Sequence, residues 1–309
     1  MAILFRSGPA STARWRAPLT EALPDHEVRF WPETGEPADI DYALVWHPEP
    51  GLLASLPSLK LIFSLGAGID HVLRDPTWPR QVPLVRLVDP YMTEAMSEYI
   101  ALSVLRLHRQ DLDYRAQQLA GVWEERAQKN AAERPVGILG FGALGQVAAQ
   151  RLRAIGFEVA GWSRSPKQVP DFATYSGKDG LDALLRRSEI VVCLLPLTPQ
   201  TTGILNAAAF ARMPRGAAIV NAGRGGHLVE ADLIPALDSG QLAGAVLDVF
   251  QEEPLPADHP FWRHSRIVVT PHVAAETHPE TAVNIIRDAI SCCEAGRTIP
   301  NRVDLARGY

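Results

Sequence analysis

Short apolar runs, each bounded by polar residues, recur along the first 90 or so residues of the chain. Each run has the length of a buried strand, and the stretches between them are long enough for crossover helices. This rhythm predicts a parallel sheet covered by helices. The predicted strands are residues 2–5, 28–31, 42–46, 59–64 and 84–88.

A different pattern occupies residues 92–128. Apolar side chains such as Ile100, Val104 and Leu107 recur at helical spacing, and no glycine interrupts them before Gly121. We predict a linking helix followed by a helical arm.

A second alternating series begins after Pro135 and predicts another parallel α/β unit. The helix predicted last, residues 279–295, is longer than the connections of this second unit, so we expect it to return to the first. The predicted strands of the second series are residues 136–139, 157–162, 190–194, 217–221, 244–248 and 266–269, with helices at 143–155 and 180–187.

The composition limits the classes of protein to which this chain can belong. A chain of 309 residues, at roughly 100 to 200 residues per domain, favours two domains, and 47% hydrophobic residues can fill both cores. The net charge of −5 gives no reason to expect nucleic acid or an anionic membrane as a partner. With 3 cysteines we expect neither a disulfide scaffold nor a metal site, and the absence of a signal or membrane-spanning run favours the cytoplasm.

A glycine motif lies where a predicted strand meets a predicted helix. It reads Gly140-Phe-Gly142-Ala143-Leu144-Gly145 and matches the dinucleotide fingerprint. The first glycine permits the tight turn, the second lets a pyrophosphate approach the backbone, and the third lets helix and strand pack closely. The helix N-terminus would attract the phosphates. The alternative is a glycine-rich turn without a ligand.

The segment after the next predicted strand bears on the choice of nucleotide. An NAD site places an acidic residue roughly 20 residues beyond the motif, whereas this segment contains Trp162, Ser163, Arg164, Ser165 and Lys167 and no acid. Hydroxyls and cations suit a 2′-phosphate. We therefore expect NADP(H) to be preferred. If the segment is only a solvated basic loop, NAD(H) remains possible.

Three consecutive strand ends of the second series carry residues suited to carbonyl reduction. Arg224 follows one predicted strand, the adjacent pair Glu252 and Glu253 follows the next, and His272 follows the third. The carboxyl ends of parallel strands form the ligand crevice of such a sheet. We therefore expect a cation for a carboxylate, an acidic partner and a proton donor to converge there.

The order of these motifs resembles a known family. A Gly-x-Gly-x-x-Gly is followed by Asn-Ala-Gly-Arg-Gly, then Asp-Val-Phe-x-x-Glu-Pro-Leu-Pro, then Thr-Pro-His-x-Ala. This series, which covers essentially the whole chain, resembles the D-isomer-specific 2-hydroxyacid dehydrogenases. The resemblance implies that His272 protonates the substrate oxygen as hydride arrives. It also implies that Glu253, not Glu252, pairs with His272, and that Arg224 orients the substrate.

Further roles are implied by the same resemblance. Backbone N–H groups of one loop would hold the substrate carboxylate. Apart from the resemblance, Trp46 could shape the substrate pocket, with a place in the hydrophobic core as the alternative. Other residues would line the nicotinamide or lie near the ribose and phosphates. The substrate residues are Leu65, Gly66, Ala67 and Gly68 with Trp46, and the cofactor residues are Asn221, Ala222 and Asp248 for the nicotinamide and Leu195 and Pro196 for the ribose and phosphates.

The family also implies an architecture. We expect an α/β protein of two doubly wound parallel-sheet domains, a Rossmann cofactor domain and a flavodoxin-like substrate domain, with a cleft between them. The substrate domain would combine residues 1–98 and 275–309, and the dinucleotide-binding domain would span 99–274. A helical arm at about 105–128 would form a homodimer.

The implied function is NADPH-dependent reduction of a small 2-oxo acid, glyoxylate to glycolate or hydroxypyruvate to D-glycerate. One alternative is a dehydrogenase for a bulkier 2-oxo acid. D-3-phosphoglycerate dehydrogenase is another, although the basic turn disfavours its NAD. The third is a non-catalytic dinucleotide sensor that resembles the C-terminal binding protein corepressors.

Overall fold

The computed structural model describes residues 1–305, so residues 306–309 of the predicted substrate domain lie outside the described part. The chain divides into two compact units. The first comprises Met1–Met92 and the segment from Glu276 onward, and the second is Thr93–Ala275. No helix among residues 1–305 combines the length and the apolar character needed to cross a membrane.

Strands and helices alternate through most of the chain. The strands are β1 Ala2–Arg6, β2 Glu27–Phe30, β3 Ile40–Val45, β4 Leu61–Ser64, β5 Leu84–Arg86, β6 Val136–Leu139, β7 Val159–Ser163, β8 Ala173–Ser176, β9 Ile190–Cys193, β10 Ala217–Asn221, β11 Leu242–Leu247 and β12 Ile267–Val269. The helices are α1 Pro9–Ala22, α2 Asp70–Leu73, α3 Pro90–His108, α4 Asp111–Ala120, α5 Ala143–Ile155, α6 Gly177–Arg187, α7 Ala207–Arg212, α8 Glu230–Asp238 and α9 Pro279–Glu294.

The first unit contains a five-stranded parallel sheet in the order β2-β1-β3-β4-β5, which is the flavodoxin-like order. Helix α9 packs in this unit, where it contacts α1. Its apolar positions, among them Ala282, Ile286 and Ala289, recur at helical spacing and are fully buried with β1 and β4.

The second unit contains a seven-stranded parallel sheet in the order β12-β11-β10-β9-β6-β7-β8. This is the Rossmann order, counted from β6, with one additional strand at the edge. Together the two sheets confirm the predicted pair of parallel-sheet α/β domains. Strand β8 was not predicted, since its sequence Ala-Thr-Tyr-Ser at the sheet edge is only partly buried and carries no apolar run.

The predicted helical stretch at 92–128 is partly wrong. Helix α3 ends at His108, and α4 begins at Asp111 after Gln110 adopts the left-handed conformation with φ of 57°. Helix α4 ends at Gly121, whose φ of 66° lies in the left-handed region that glycine adopts most readily. Residues 122–130 contain no helix. The periodicity did not show these breaks because Gln110 has no turn signal in its sequence.

Candidate active site

The order of the second sheet reverses between β6 and β9, which places the loops after these strands side by side. Gly140 begins the loop after β6 with φ of +101°. A Cβ atom at Gly140 would lie 2.6 Å from the carbonyl oxygen of Leu194, in the loop after β9. Glycine is therefore required for the two loops to approach and form the crevice at the switch point.

The other two glycines of the motif have different surroundings. A Cβ atom at Gly145, in the first turn of α5, would collide with the carbonyl oxygen of Gly140, so this glycine allows helix and strand to pack closely. A Cβ atom at Gly142 would have nothing within 4 Å. Gly142 and Ala143 are exposed at the start of α5, and Leu144 is half-buried. The open side of Gly142 leaves room for a phosphate at the helix N-terminus.

The residues at the end of β7 and in the turn after it differ in burial: one is buried, and most of the others are exposed. Trp162 is only 6% exposed and its indole N–H donates to the Gly177 carbonyl at 2.8 Å, so its ring packs in the core. The side chains of Arg164, Ser165 and Lys167 are exposed, and Ser163 is half-buried.

Lys167 lies close to the glycine loop. Its ammonium donates to the carbonyl of Phe141 at 3.1 Å, so a cation stands beside the glycine loop. Arg164, a second cation, lies on the same turn after β7 and is exposed. These groups fit a dinucleotide with an additional phosphate.

The loop after β10 is folded by the side chain of Asn221. Its Nδ2 donates to the carbonyl of Arg224 at 3.0 Å, and its Oδ1 accepts from the backbone N–H of Gly223 at 3.3 Å. Ala222 is buried within this loop, and the guanidinium of Arg224 donates to the carbonyl of Gly223 at 2.7 Å. Arg224 is half-buried, so the fork is held in a defined position and is still accessible.

Glu253 and His272 form a close pair. Nδ1 of His272 lies 2.7 Å from Oε2 of Glu253, and Oε1 of Glu253 accepts from the N–H of Phe250 at 2.9 Å. Burial by itself would raise the pKa of Glu253. The hydrogen bonds from His272 and Phe250, with the charges of His272 and Arg224, outweigh burial and place this pKa below its ordinary value. The ionised carboxylate can only accept, so Nδ1 of His272 carries a proton.

The loop that carries His272 is held by Asp248, which is 1% exposed. Oδ1 of Asp248 accepts from the hydroxyl of Thr270 at 2.6 Å and from the N–H of Val273 at 2.9 Å, and Oδ2 accepts from the N–H of Ala274 at 2.9 Å. Burial raises the pKa of Asp248 even though these bonds oppose the shift. Both carboxylate oxygens are thus engaged with the loop, while contact of Asp248 with a nicotinamide stays a prediction.

Thr270 and Tyr99 were not singled out from the sequence. The hydroxyl groups of the two residues lie 2.7 Å apart, which links α3 to the loop that carries His272. Burial raises the pKa of Tyr99 to about 12. Thr270 belongs to the Thr-Pro-His motif, which was a signal for it, whereas the separation of 171 residues between Tyr99 and Thr270 left no sequence signal for this contact.

In the first unit, the loop from Leu65 to Gly68 follows β4 and is anchored through its carbonyl groups. The hydroxyl of Thr277 donates to the carbonyl of Leu65 at 2.6 Å, and the N–H of Leu87 donates to that of Gly66 at 3.1 Å. Because the peptide unit is planar, fixing these carbonyls also fixes the directions of the N–H groups of Gly66 and Ala67.

Two aromatic side chains pack beneath this loop. The indole of Trp46 lies with its ring centroid 4.5 Å from that of the buried His71, and a Cβ atom at Gly66 would lie 2.8 Å from the Trp46 ring. Nε2 of His71 lies 2.8 Å from the hydroxyl oxygen of Ser64, which donates to the carbonyl of Gly68 at 2.6 Å. Trp46 thus lies next to the loop from Leu65 to Gly68. This proximity is what a common role of the two in substrate binding requires.

The described residues 1–305 contain no group of three or more His, Cys, Asp or Glu side chains arranged to hold a metal ion.

The family model for the NAD binding domain of D-isomer specific 2-hydroxyacid dehydrogenases matches residues 101–274. The chain belongs to this dehydrogenase family. The predicted membership is therefore confirmed, and the matched segment contains the glycine motif and the residues Arg224, Glu253 and His272.

Relatives within the dehydrogenase family match along the whole chain. Glyoxylate/hydroxypyruvate reductase A of Yersinia enterocolitica is 43% identical over 314 residues, covering 100% of both chains. A D-isomer specific 2-hydroxyacid dehydrogenase from Xanthobacter autotrophicus Py2, solved in complex with NADPH and MES, has a TM-score of 0.94 at 42% identity and covers 100% of this chain and 99% of its own.

A third relative is the NADPH-dependent glyoxylate/hydroxypyruvate reductase from Sinorhizobium meliloti, solved in complex with NADP and sulfate. It has a TM-score of 0.93 at 42% identity, with 100% of this chain and 99% of that chain covered.

Proposed function

We propose that this protein is an NADPH-dependent 2-hydroxyacid dehydrogenase that reduces glyoxylate to glycolate and hydroxypyruvate to D-glycerate. The observation that carries the proposal is the 2.7 Å pair of His272 and Glu253 in the unit that also holds the glycine motif. The full-length similarity to a glyoxylate/hydroxypyruvate reductase A supports the choice of substrates.

The preference for NADP(H) is supported by this chain's own residues. Arg164, Ser165 and Lys167 form an exposed basic turn after β7, and residues 161–167 contain no acid to accept from a ribose 2′-hydroxyl. The NADPH and NADP complexes of two relatives agree with this assignment. The glycine loop and the N-terminus of α5 would hold the pyrophosphate, with Leu195 and Pro196 nearby and Asn221 and Ala222 toward the nicotinamide.

His272 would act as the general acid. A bound NADPH would supply the hydride for the carbonyl carbon of the substrate and would itself be oxidised to NADP⁺. Nδ1 of His272 is occupied by Glu253, which leaves Nε2–H to protonate the oxygen as negative charge develops on it. The ionised Glu253 accepts from Nδ1–H of His272 and so orients the ring. The products would be the alcohol, NADP⁺ and the neutral imidazole, which takes up a proton from solvent.

Arg224 of the second unit would bind the substrate carboxylate. The guanidinium fork of Arg224 suits a carboxylate, and its backbone is held by Asn221. In the first unit, the directed N–H groups of Gly66 and Ala67 suit a carboxylate, and the neighbouring Trp46 would shape a pocket for a small substrate there.

We also propose that the protein is a homodimer formed through the arm at about 105–128. Leu119 is 91% exposed and Trp123 is 97% exposed, and apolar side chains with this much exposure are typical of a partner surface. A reducing compartment such as the cytoplasm is supported by the 3 cysteines, which are all free thiols.

The test is steady-state oxidation of NADPH, with NADH in parallel, on addition of glyoxylate, hydroxypyruvate, pyruvate or phenylpyruvate. We expect NADPH-selective turnover of the first two. Turnover only with NADH would contradict the 2′-phosphate assignment, and preference for phenylpyruvate would indicate a dehydrogenase for bulkier acids. Tight nucleotide binding with no turnover of any substrate would favour a dinucleotide sensor.

A further inference from the structure

His227 lies between two loops of the second unit and is completely buried. It ends a short turn, Gly225–His227, that directly follows Arg224. Its Nδ1 accepts the backbone N–H of Arg224 at 3.0 Å. Its Nε2 lies 3.3 Å from the carbonyl oxygen of Pro196, in the loop after β9. One imidazole therefore contacts both loops.

The partners determine which nitrogen of His227 carries the proton. A backbone N–H only donates, so Nδ1 of His227 offers a lone pair to Arg224. A carbonyl oxygen only accepts, so Nε2 carries the proton and donates to Pro196. The bridge thus requires one tautomer of the neutral ring, and the ring cannot be turned over without losing both bonds.

The packing around His227 leaves little freedom for either loop. A Cβ atom at Gly223 would lie 3.0 Å from Nδ1 of His227 and 3.1 Å from the carbonyl oxygen of Leu195. The carbonyl of Pro196 also accepts from the hydroxyl of Thr201 at 2.7 Å. A shift of the loop after β9 would therefore be transmitted through His227 to the loop that carries Arg224.

The backbone of Arg224 is held on both sides. His227 accepts from its N–H, and Asn221 donates to its carbonyl at 3.0 Å. These two bonds fix the peptide groups on either side of the Arg224 Cα atom. They therefore fix the direction in which the side chain leaves the backbone, and with it the region that the guanidinium can reach.

We propose that His227 is a positioning residue that couples the nucleotide loop at Leu195–Pro196 to the substrate arginine, Arg224, so that binding of NADPH and binding of the substrate carboxylate strengthen each other. This inference rests on the proposed function, which assigns the nucleotide to one loop and the carboxylate to the other. It concerns a completely buried residue that acts through both loops.

Two substitutions separate the two halves of the bridge. In His227→Asn the side-chain oxygen takes the place of Nδ1, so the bond from Arg224 is kept and the bond to Pro196 is lost. In His227→Gln the side-chain nitrogen takes the place of Nε2, so the bond to Pro196 is kept and that from Arg224 is lost. His264→Gln is the matched control, because Nδ1 of His264 also accepts a backbone N–H, that of Arg266, at 3.2 Å.

The measurements are the KM for glyoxylate and the Kd of NADPH by fluorescence, the latter with and without oxamate, a carboxylate that cannot be reduced. We expect His227→Gln to raise the KM roughly tenfold, the effect of one lost hydrogen bond, while the Kd of NADPH without oxamate is unchanged. His227→Asn should weaken NADPH binding, and its KM at saturating NADPH should rise only by the factor by which oxamate tightens NADPH binding in the wild type. Oxamate should tighten NADPH binding in the wild type and in His264→Gln but in neither His227 variant.

Each variant tests one half of the bridge on its own, so a folding defect in one leaves the other decisive. Thermal unfolding identifies such a defect. The inference is overturned if a folded His227→Gln or His227→Asn keeps the wild-type effect of oxamate on NADPH binding, or if the wild type shows no such effect. Wild-type protein that binds NADPH more tightly with oxamate but reduces no 2-oxo acid would overturn the proposed function and leave the coupling supported.

Discussion

Nδ1 of His272 and Oε2 of Glu253 lie 2.7 Å apart, although the two residues follow different strands of the sheet. His272 adopts a φ of 54°, and its backbone N–H donates to the carbonyl of Asp248 at 2.9 Å. A positive φ at a non-glycine residue is maintained only when the surroundings enforce it. The imidazole is thus aimed by its backbone and by its acidic partner together.

Glu253→Gln should lower turnover because the neutral amide no longer offers a negatively charged acceptor to Nδ1–H of His272. We expect a reduction in kcat of roughly 10²-fold, at the lower end of what general acid catalysis contributes. The Kd of NADPH should stay within error of the wild type. Glu252→Gln is the control, because this exposed neighbour does not pair with His272 and should keep wild-type turnover.

The same pair predicts a pH dependence of stability. The pKa of Glu253 in the folded protein lies below its ordinary value of 4.5, so the folded state binds the proton more weakly than the unfolded chain. The stabilisation is therefore complete above that ordinary value and is lost as the pH falls through the folded value. The Tm difference between wild type and Glu253→Gln should shrink on acidification below about pH 4.5. A difference that grows on acidification would contradict the assignment.

Two glycines of the motif should respond differently to alanine. Gly145→Ala places a Cβ atom against the carbonyl of Gly140 and should destabilise the fold by about 1 to 3 kcal/mol. Gly142→Ala meets open space, so its free energy of unfolding should change by less than about 0.5 kcal/mol. If the open side receives the pyrophosphate, Gly142→Ala should still weaken NADPH binding. Denaturant unfolding and nucleotide titration distinguish these effects, and unchanged NADPH affinity in Gly142→Ala would count against a phosphate at this site.

Arg164→Ala should reduce the preference for NADPH. A hydrogen bond to a charged group contributes about 1.5 to 3 kcal/mol, so the KM for NADPH should rise roughly 10-fold to 100-fold. The KM for NADH should hardly change, because NADH has no 2′-phosphate. Arg186→Ala, at another exposed arginine of the same unit, should leave both values unchanged. An equal rise for the two nucleotides would mean that Arg164 contacts a group they share.

Leu119→Glu combined with Trp123→Glu should convert a dimer into a monomer. These side chains are 91% and 97% exposed, so a glutamate at either position stays in solvent in the single chain. In a dimer interface the same glutamates would be buried without a partner charge, which is unfavourable. Trp262→Glu, at a 49% exposed residue outside the arm, should stay dimeric. Sedimentation velocity gives the mass directly. A wild-type monomer would contradict the proposed homodimer.

Local sequence signals predicted much of the fold. Apolar runs marked the buried strands, and the glycine motif marked the turn into α5, because each is set by neighbouring residues. Strand β8 escaped prediction since an edge strand needs no apolar run. The break at Gln110 escaped it too, because a left-handed glutamine follows from tertiary packing and has no signal of its own.

In the candidate site, too, local motifs could be predicted from the sequence and contacts between distant residues could not. Glu253 and His272 could be selected because each lies in a recognisable motif after a strand. The contact between His227 and Pro196 could not, because 31 residues separate them and only the folded sheet brings their loops together. Trp162 had the right position for the nucleotide, yet its ring is buried, and order along the chain does not show to which side a residue points.

The most direct test of the central claim is the product formed from hydroxypyruvate and NADPH. Wild type and His272→Gln are compared under identical conditions, and the configuration of the product is determined by chiral chromatography. We predict D-glycerate from the wild type and a loss of roughly 10²-fold or more in its rate of formation in His272→Gln, with NADPH still bound. L-glycerate as the product, or full activity of His272→Gln, would contradict the account.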